Sequence, residues 1–315
     1  MTKKTLPRNA AGESFGCRLC KDIVKYRKRY LLILPVMAFY IIFCYAPMYG
    51  AIIAFKDYTP NLGVLKSPWV GFRYFKEFFQ SYYFWRLLRN TVRICLANLV
   101  FGFPAPIILA LLINEINSRR FAKTVQTITY IPHFISLVVV CGMIKEFTMD
   151  SGVINDIIAA FGGKRITMLN EARYFVPVYT ISGIWQEIGW GSIVYLAALL
   201  GVDPELYNAA SVDGAGRLRQ VFSITIPSIM PTIIIMFLLK IGSIMNVSYE
   251  KIILLYNAAT YKTADVISTF VYRKGLQNFD WSYSTAVGLF NSVINFVLLL
   301  LANYLSKRYS DTSLW

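Results

Sequence analysis

The sequence predicts an all-α polytopic membrane protein, and three observations lead there. Hydrophobic residues make up 56% of the 315 and charged residues only 16%, with a mean hydropathy of +0.50. Soluble domains carry about 25% charged and roughly 45–50% apolar residues. The apolar excess is gathered into runs long enough to cross a hydrocarbon core as helices, which takes about 20 residues each. Without water the backbone of each run must satisfy its own hydrogen bonds, and the alternating segments of about 10 residues that mark a barrel are absent from the sequence.

Six runs predict six transmembrane helices. The first, 30–55, is uninterrupted until Lys56. It has the basic flank of a signal peptide, yet it is too long for an h-region and no small-x-small site follows, so it reads as a retained span. The second, 84–113, opens with Arg86, Arg89 and Arg93 about one turn apart, placed so that their stems can snorkel toward headgroups. The third is 122–147, the fourth 174–202, the fifth 220–246 and the sixth 282–305. A basic tail (1–29), a membrane domain (30–306, with an inner loop at 203–219) and a short tail (307–315) result.

Lysine and arginine set the orientation. Lys3, Lys4, Arg8, Arg18, Lys21, Lys25, Arg27, Lys28 and Arg29 stand before the first span against only Glu13 and Asp22, which holds that end in the cytoplasm. Six spans then bring the C-terminus, with Lys307 and Arg308, to the same side. Loops 114–121 and 203–219 are also inside, while loops 56–83, 148–173 and 247–281 face out. The net charge of +15 is therefore a topology and lipid-surface signal. A nucleic-acid role needs a soluble basic module, and the sequence contains none.

Metal and redox chemistry find little support. Cys44, Cys95 and Cys141 lie in apolar runs, where a thiol behaves as a small hydrophobe. Cys17 and Cys20 form one C-x-x-C, but a structural zinc site needs four ligands, and the single histidine, His133, falls in the third run. His133 reads as a structural residue near the headgroups.

The 203–219 loop carries the strongest local signals. Asp203 can cap free amides, Pro204 fits a first helical turn, and Glu205 faces the positive helix end. Ala209 and Ala210 follow, then Asp213-Gly214-Ala215-Gly216, where Gly214 can turn left-handed and stop the helix. The chain restarts through Arg217, Leu218 and Phe222 and enters the next span at Ile226-Pro227. A short capped helix between two spans has the shape of a docking element. Its alanines and glycines allow a partner's backbone close, and Glu205, Asp213, Arg217 and Arg219 can set register by charge.

These residues resemble a known signature. Asn208-Ala209-Ala210, three residues, Gly214, nine residues, Ile224, one residue, Ile226-Pro227 is similar to the cytoplasmic loop of binding-protein-dependent ABC importer permeases, whose pattern begins Glu-Ala-Ala and contains Asp-Gly-Ala, here Asp213-Gly214-Ala215. Tyr45-Ala46-Pro47-Met48-Tyr49-Gly50, Ser67-Pro68-Trp69-Val70-Gly71, Ile131-Pro132-His133-Phe134-Ile135-Ser136 and Thr312-Ser313-Leu314-Trp315 resemble the carbohydrate-type permeases, in particular the oligo- and polysaccharide branch. Asn208 departs from the family's glutamate. Either Glu205, nearly one turn earlier, takes over part of its role, or asparagine is simply tolerated there.

The resemblance implies a mechanism and partners. The helix at about 203–216 would sit in a groove of a cytoplasmic ATPase subunit that binds ATP and magnesium. Closure of two ATPases would rock the spans, a second similar permease would complete the channel, and an extracytoplasmic solute-binding protein would deliver the sugar. The setting implied is a bacterial inner membrane. No G-x-x-x-x-G-K-[ST] loop is present, since Ile158 stands where Gly163-Lys164 requires a glycine and Arg165 where it requires Ser or Thr. The chain is thus expected to be a transport subunit with no catalytic residues and no cofactor of its own.

Polar residues inside spans are costly and mark candidate pathways. Gln186 and Glu187, between Trp185 and Trp190, lie near mid-depth of the fourth run, where an acceptor flanked by aromatic faces suits a sugar. Asn291 and Asn295 share a face of the sixth at i, i+4, and Lys240 and Asn246 lie in the outer half of the fifth. The other reading is that these groups pair with one another across the bundle. Gly183, Gly189 and Gly191 are expected to permit close helix packing. Trp69, Phe72, Tyr74, Phe75, Phe78, Phe79, Tyr82 and Tyr83 predict an amphipathic interfacial helix outside, or else a face for the binding protein. Two rival classes lack support: a secondary sugar transporter has no use for the docking loop, and a membrane glycosyltransferase would need clustered acids that capping does not already explain.

Overall fold

The computed structural model describes residues 25–310 and 312–315. The basic cluster before Lys25, with Cys17 and Cys20, lies outside the described residues. Everything described is helix and loop; the only strand-like pairing among these residues is an isolated antiparallel bridge between Lys56 and Trp69.

Among the described residues four helices are long and apolar enough to cross a membrane: α1 (Arg27–Phe55), α3 (Phe84–Asn114), α8 (Arg217–Gly242) and the last, α11, which extends over Trp281–Tyr309. Between α1 and α3 lies the short α2 (Arg73–Gln80). The spans contain prolines, which lack an N–H and crowd the carbonyl one turn back. The chain accommodates them with wide π-turns just upstream: Tyr40–Tyr45 before Pro47, Asn98–Gly102 before Pro104, and Val221–Thr225 before Pro227.

The third expected span is not straight. Its halves, α4 (Arg119–Phe134) and α5 (Leu137–Ala160), are inclined by 101°. Pro132 tightens the end of α4 into a 3₁₀ turn, Ile135 is extended, and Ser136 starts the new helix by accepting from Val139 N at 3.4 Å. If the bent pair counts as one span, the apolar crossings number five. The fourth expected span is α6 (Ala172–Leu199), whose 28 residues reach about 42 Å at 1.5 Å each. It falls outside the apolar set, and Thr180, Ser182, Gln186, Glu187 and Ser192 interrupt its length. The fifth ends at Gly242, so 243–246, expected to be helical, belongs instead to the turn that runs to Ser248.

Short helices complete the chain: α7 (Pro204–Val212), α9 (Tyr249–Leu255) and α10 (Ile267–Tyr272). α6 is the central post, packed on α3, α4 and α8. The main core lies toward the end bearing the long loops. There Leu87, Ile94, Val140, Phe175, Ile252, Leu255, Ile267 and Val287 are buried together. A smaller cluster of Ala110, Tyr195, Leu199 and Ile229 closes the opposite end. α1 has no buried residue before Tyr49 and meets the bundle through Tyr49–Phe55, which packs on α11.

The aromatic loop corrects one expectation. α2 is amphipathic, but it turns Tyr74 and Phe78 into the core, and the Phe78 ring meets Phe84, Phe270, Tyr283 and Phe290. Trp69, Phe72, Phe79 and Tyr82 stay exposed. Nor do the three arginines of α3 act alike. Arg89 and Arg93 are exposed, whereas Arg86 reaches fully buried Asp265 at 3.3 Å, which Arg273 also meets at 2.8 Å. Asn90 donates to the backbone carbonyl of Asp265 at 2.9 Å, so this charged knot fastens the 247–281 loop onto α3.

Candidate functional site

A cavity of about 510 Å³ opens between α3, α6, α8 and α9. α6 contributes Gln186 and Glu187 from its middle. α8 contributes Lys240, and the turn beyond it contributes Ser243, Asn246 and Ser248. Asn98 enters from the π-turn of α3. α9 arises where Ser248 caps it, accepting from Lys251 N at 3.3 Å. This capped turn folds the loop back against α5 and delivers Lys251 to the cavity wall beside Tyr179 of α6.

The predicted polar residues divide in two. Gln186, Glu187, Lys240 and Asn246 line the cavity. Asn291 and Asn295 stand behind it: each donates from Nδ2 to Asn246 Oδ1 at 3.0 Å, and Asn295 Oδ1 accepts from Met245 N at 2.9 Å. These two asparagines hold the 243–248 turn in place, while the Asn246 side chain remains exposed. Trp190 is not in the wall; its ring stacks on His133 at 4.4 Å and 1°, with Phe134 edge-on. His133 Nδ1 in turn lies 3.0 Å from Glu187 Oε2. The histidine expected near the headgroups is therefore a partner of the candidate pathway.

Lys251 was missed because it sits in a loop expected to lie outside. Only 5% exposed, it donates to Tyr179 O at 3.3 Å and lies 4.9 Å from the Tyr179 ring. The signal available in sequence was the cap, Ser248-Tyr249-Glu250-Lys251, followed by an apolar run. Close packing around the site rests on glycine. A Cβ on Gly189 would overlap the backbone carbonyl of Thr129, and one on Gly191 would come within 3.0 Å of Pro106.

At the other end of the bundle the 203–219 loop has the local form its residues predict. Asp203 Oδ1 accepts from Glu205 N at 2.9 Å, and α7 runs to Val212. Gly214 takes φ +77, with Ala215 N bonding Ala210 O at 2.8 Å and Gly214 N bonding Ser211 O at 3.1 Å. Such bonds close a helix C-terminus around a left-handed residue. Tyr207 hydroxyl meets Thr225 Oγ1 at 3.0 Å, and Gln220 donates to Ser211 Oγ and Ala215 O, so α7 is tied to the start of α8. Glu205, Asn208, Ala209, Asp213, Gly214, Arg217 and Phe222 are exposed, as is Pro227 in the first turn of the regular helix; Ala210, Ala215 and Ile224 are half-buried.

Residues 102–311 match the family described as binding-protein-dependent transport system inner membrane component. The chain belongs to this family. The permease is 46% identical over 287 residues to protein LplB of Bacillus subtilis, covering 91% of this chain and 90% of that one. It is 44% identical over 299 residues to YteP of the same organism, a polygalacturonan/rhamnogalacturonan transport system permease protein, covering 95% and 93%. Among solved structures it superimposes with a TM-score of 0.87 and 44% identity on a chain of a bacterial alginate ABC transporter in complex with an alginate pentasaccharide-bound periplasmic protein. That match covers 94% of the permease and all of the other chain. The permease is thus a membrane subunit of an ATP-binding-cassette importer.

Proposed function

We propose that the permease carries an oligosaccharide across a bacterial cell membrane after an extracytoplasmic binding protein hands it over. The observation that carries this reading is the cavity: donors and acceptors from α3, α6, α8 and α9 converge at mid-bundle in a space within the roughly 300–1,000 Å³ typical of ligand pockets. Hydroxyl-rich ligands need such a mixture, and YteP and the alginate transporter handle polysaccharides.

In this reading six spans are formed by α1, α3, the bent α4–α5 pair, α6, α8 and α11. Both termini are cytoplasmic, with basic segments 1–29 and 307–315 flanking the transmembrane domain 30–306. α7 and its flanks dock on a cytoplasmic ATPase subunit that binds ATP and magnesium. Asp203 and Gly214 shape the helix, while Glu205, Asn208, Asp213 and Arg217 present its polar contacts. The exposed apolar face of α1 meets lipid and a second, similar permease. Power comes from the separate ATPase, since the sequence contains no phosphate loop.

Purification through a tag on this chain in mild detergent, followed by mass spectrometry, is expected to recover an ATPase and a second permease. The recovered assembly in proteoliposomes, with its binding protein, is expected to take up labelled oligosaccharide only with ATP. Uptake that persists without the ATPase would replace this reading with a secondary transporter.

A further inference from the structure

The cavity has more positive than negative charge, and its charges are arranged unequally. Two ammonium groups face it, Lys240 from α8 and Lys251 from α9, against a single carboxylate, Glu187. That carboxylate is engaged, with Oε2 at 3.0 Å from His133 Nδ1. Among the described residues neither ammonium has a carboxylate within 4 Å. Lys251 is the sharper case. Its side chain is almost wholly buried, yet among the described residues its one hydrogen-bond acceptor is the Tyr179 carbonyl at 3.3 Å, and an ammonium has three donors to satisfy. Gly183 stands beside this contact, one turn after Tyr179 on α6; a Cβ there would lie 3.4 Å from Lys251 Nζ, so the missing side chain leaves room around the ammonium.

Glu187 acts on Lys251 only from beyond ion-pair distance, and a buried charge so incompletely matched is unfavourable unless something completes it. Water in the cavity solvates it partially. An incoming anion would do so fully, with charge-assisted bonds roughly twice as strong as neutral ones. The remaining walls (Asn98, Gln186, Ser243, Asn246, Ser248) are neutral donors and acceptors of the kind that sugar hydroxyls require. Resting on the oligosaccharide reading above, we propose that the cavity is selective for carboxylate-bearing oligosaccharides, with Lys251 and Lys240 receiving uronate carboxylates. Lys251 is the fixed site, anchored on Tyr179. Lys240, exposed at the end of α8, is the less constrained one.

The test is thermal unfolding of the complete detergent-solubilised transporter, without binding protein, so that selectivity reports the membrane subunits. A ligand that binds the folded state raises the midpoint according to its concentration over Kd. The probes are trigalacturonate, the same trimer with its carboxyl groups reduced to neutral alcohols, and tricarballylate as a sugar-free trianion, all at one ionic strength. Trigalacturonate is expected to raise the midpoint, with an apparent Kd at least about tenfold below those of the other two. Lys251→Met and Lys240→Met, which keep length and remove charge, are each expected to shrink that preference severalfold. Lys240→Met tests the point even if Lys251→Met fails to assemble, because Lys240 is exposed.

Equal shifts from the neutral trimer, equal shifts from tricarballylate, or a uronate preference unchanged in Lys240→Met would each overturn the assignment. So would no shift from any probe. Should proteoliposomes then still take up a neutral oligosaccharide with ATP, the transport reading stands and only the anionic selectivity falls; should they take up none, both fall.

Discussion

Replacing Gly214 by valine should leave insertion and assembly normal, with the ATPase partner hydrolysing ATP without sugar moving in proportion. Gly214 sits at φ +77, closing α7, and a Cβ placed there meets nothing within 4 Å. Crowding inside the permease is therefore not the issue, and the cost lies in the backbone. A left-handed residue with a side chain costs roughly 1–2 kcal/mol, and a β-branched one lies above that range. Since 1.4 kcal/mol is a factor of ten, the closed turn loses about tenfold or more of its population relative to an opened one. Opening it releases the Ala215 N to Ala210 O and Gly214 N to Ser211 O bonds and with them the direction in which α7 meets its partner. Asparagine tolerates this conformation better than other residues with side chains, so the series Gly, Asn, Ala, Val should fall in that order. The assay is sugar taken up per ATP hydrolysed in proteoliposomes, with ATPase co-purification as the control for assembly. A valine variant that matches the parent in that ratio would refute the coupling role of α7.

Other outcomes can be checked directly. Glu187→Gln should change transport while leaving ATPase association intact; a variant that only weakens assembly would make the Glu187–His133 pair a structural clamp. Asp265→Asn leaves Arg86 and Arg273 facing each other without a counter-charge, and removing one member of a buried ion cluster costs about 3–5 kcal/mol. Both arginines are partly exposed, so the lower end of that range applies, read as a clear fall in the unfolding midpoint in detergent. Gly189→Ala drives a methyl into the Thr129 carbonyl and should cost about 1–3 kcal/mol, whereas Gly183→Ala, with only Lys251 Nζ nearby, should cost less on the same assay. Tyr74, at the loop-rich end, has its phenol pushed up to about 12 by burial and then by donation to Asp57 at 2.8 Å. A folded-state value above the ordinary 10 means this contribution is complete below pH 10 and lost as pH rises toward 12. Tyr74→Phe should flatten that decline in thermal stability.

Some of this protein was legible because the information was local. An apolar run has to become a helix in a medium without water, and Asp203-Pro204-Glu205 with Gly214 ten residues later specifies where α7 begins and ends through its own caps. Those features depend on neighbours within one or two turns, so sequence alone determined them. The break at Ile135–Ser136 also had a local cue in Pro132, but hydropathy does not register direction, and a bent run scores like a straight one. The charged knot at Asp265 and the place of Lys251 were beyond any local reading. Both sit in a loop whose composition resembles an exposed one, and only the packing of α9 against α5, with Lys251 bonded to Tyr179 of α6, turns that loop inward. Likewise His133 and Glu187 are 54 residues apart, and nothing in either run states that α4 ends beside the middle of α6. Which residues are helical followed from the chain's own chemistry. Which polar groups share a cavity was decided by tertiary contacts, because a charge is silent about its partner until the fold brings one near.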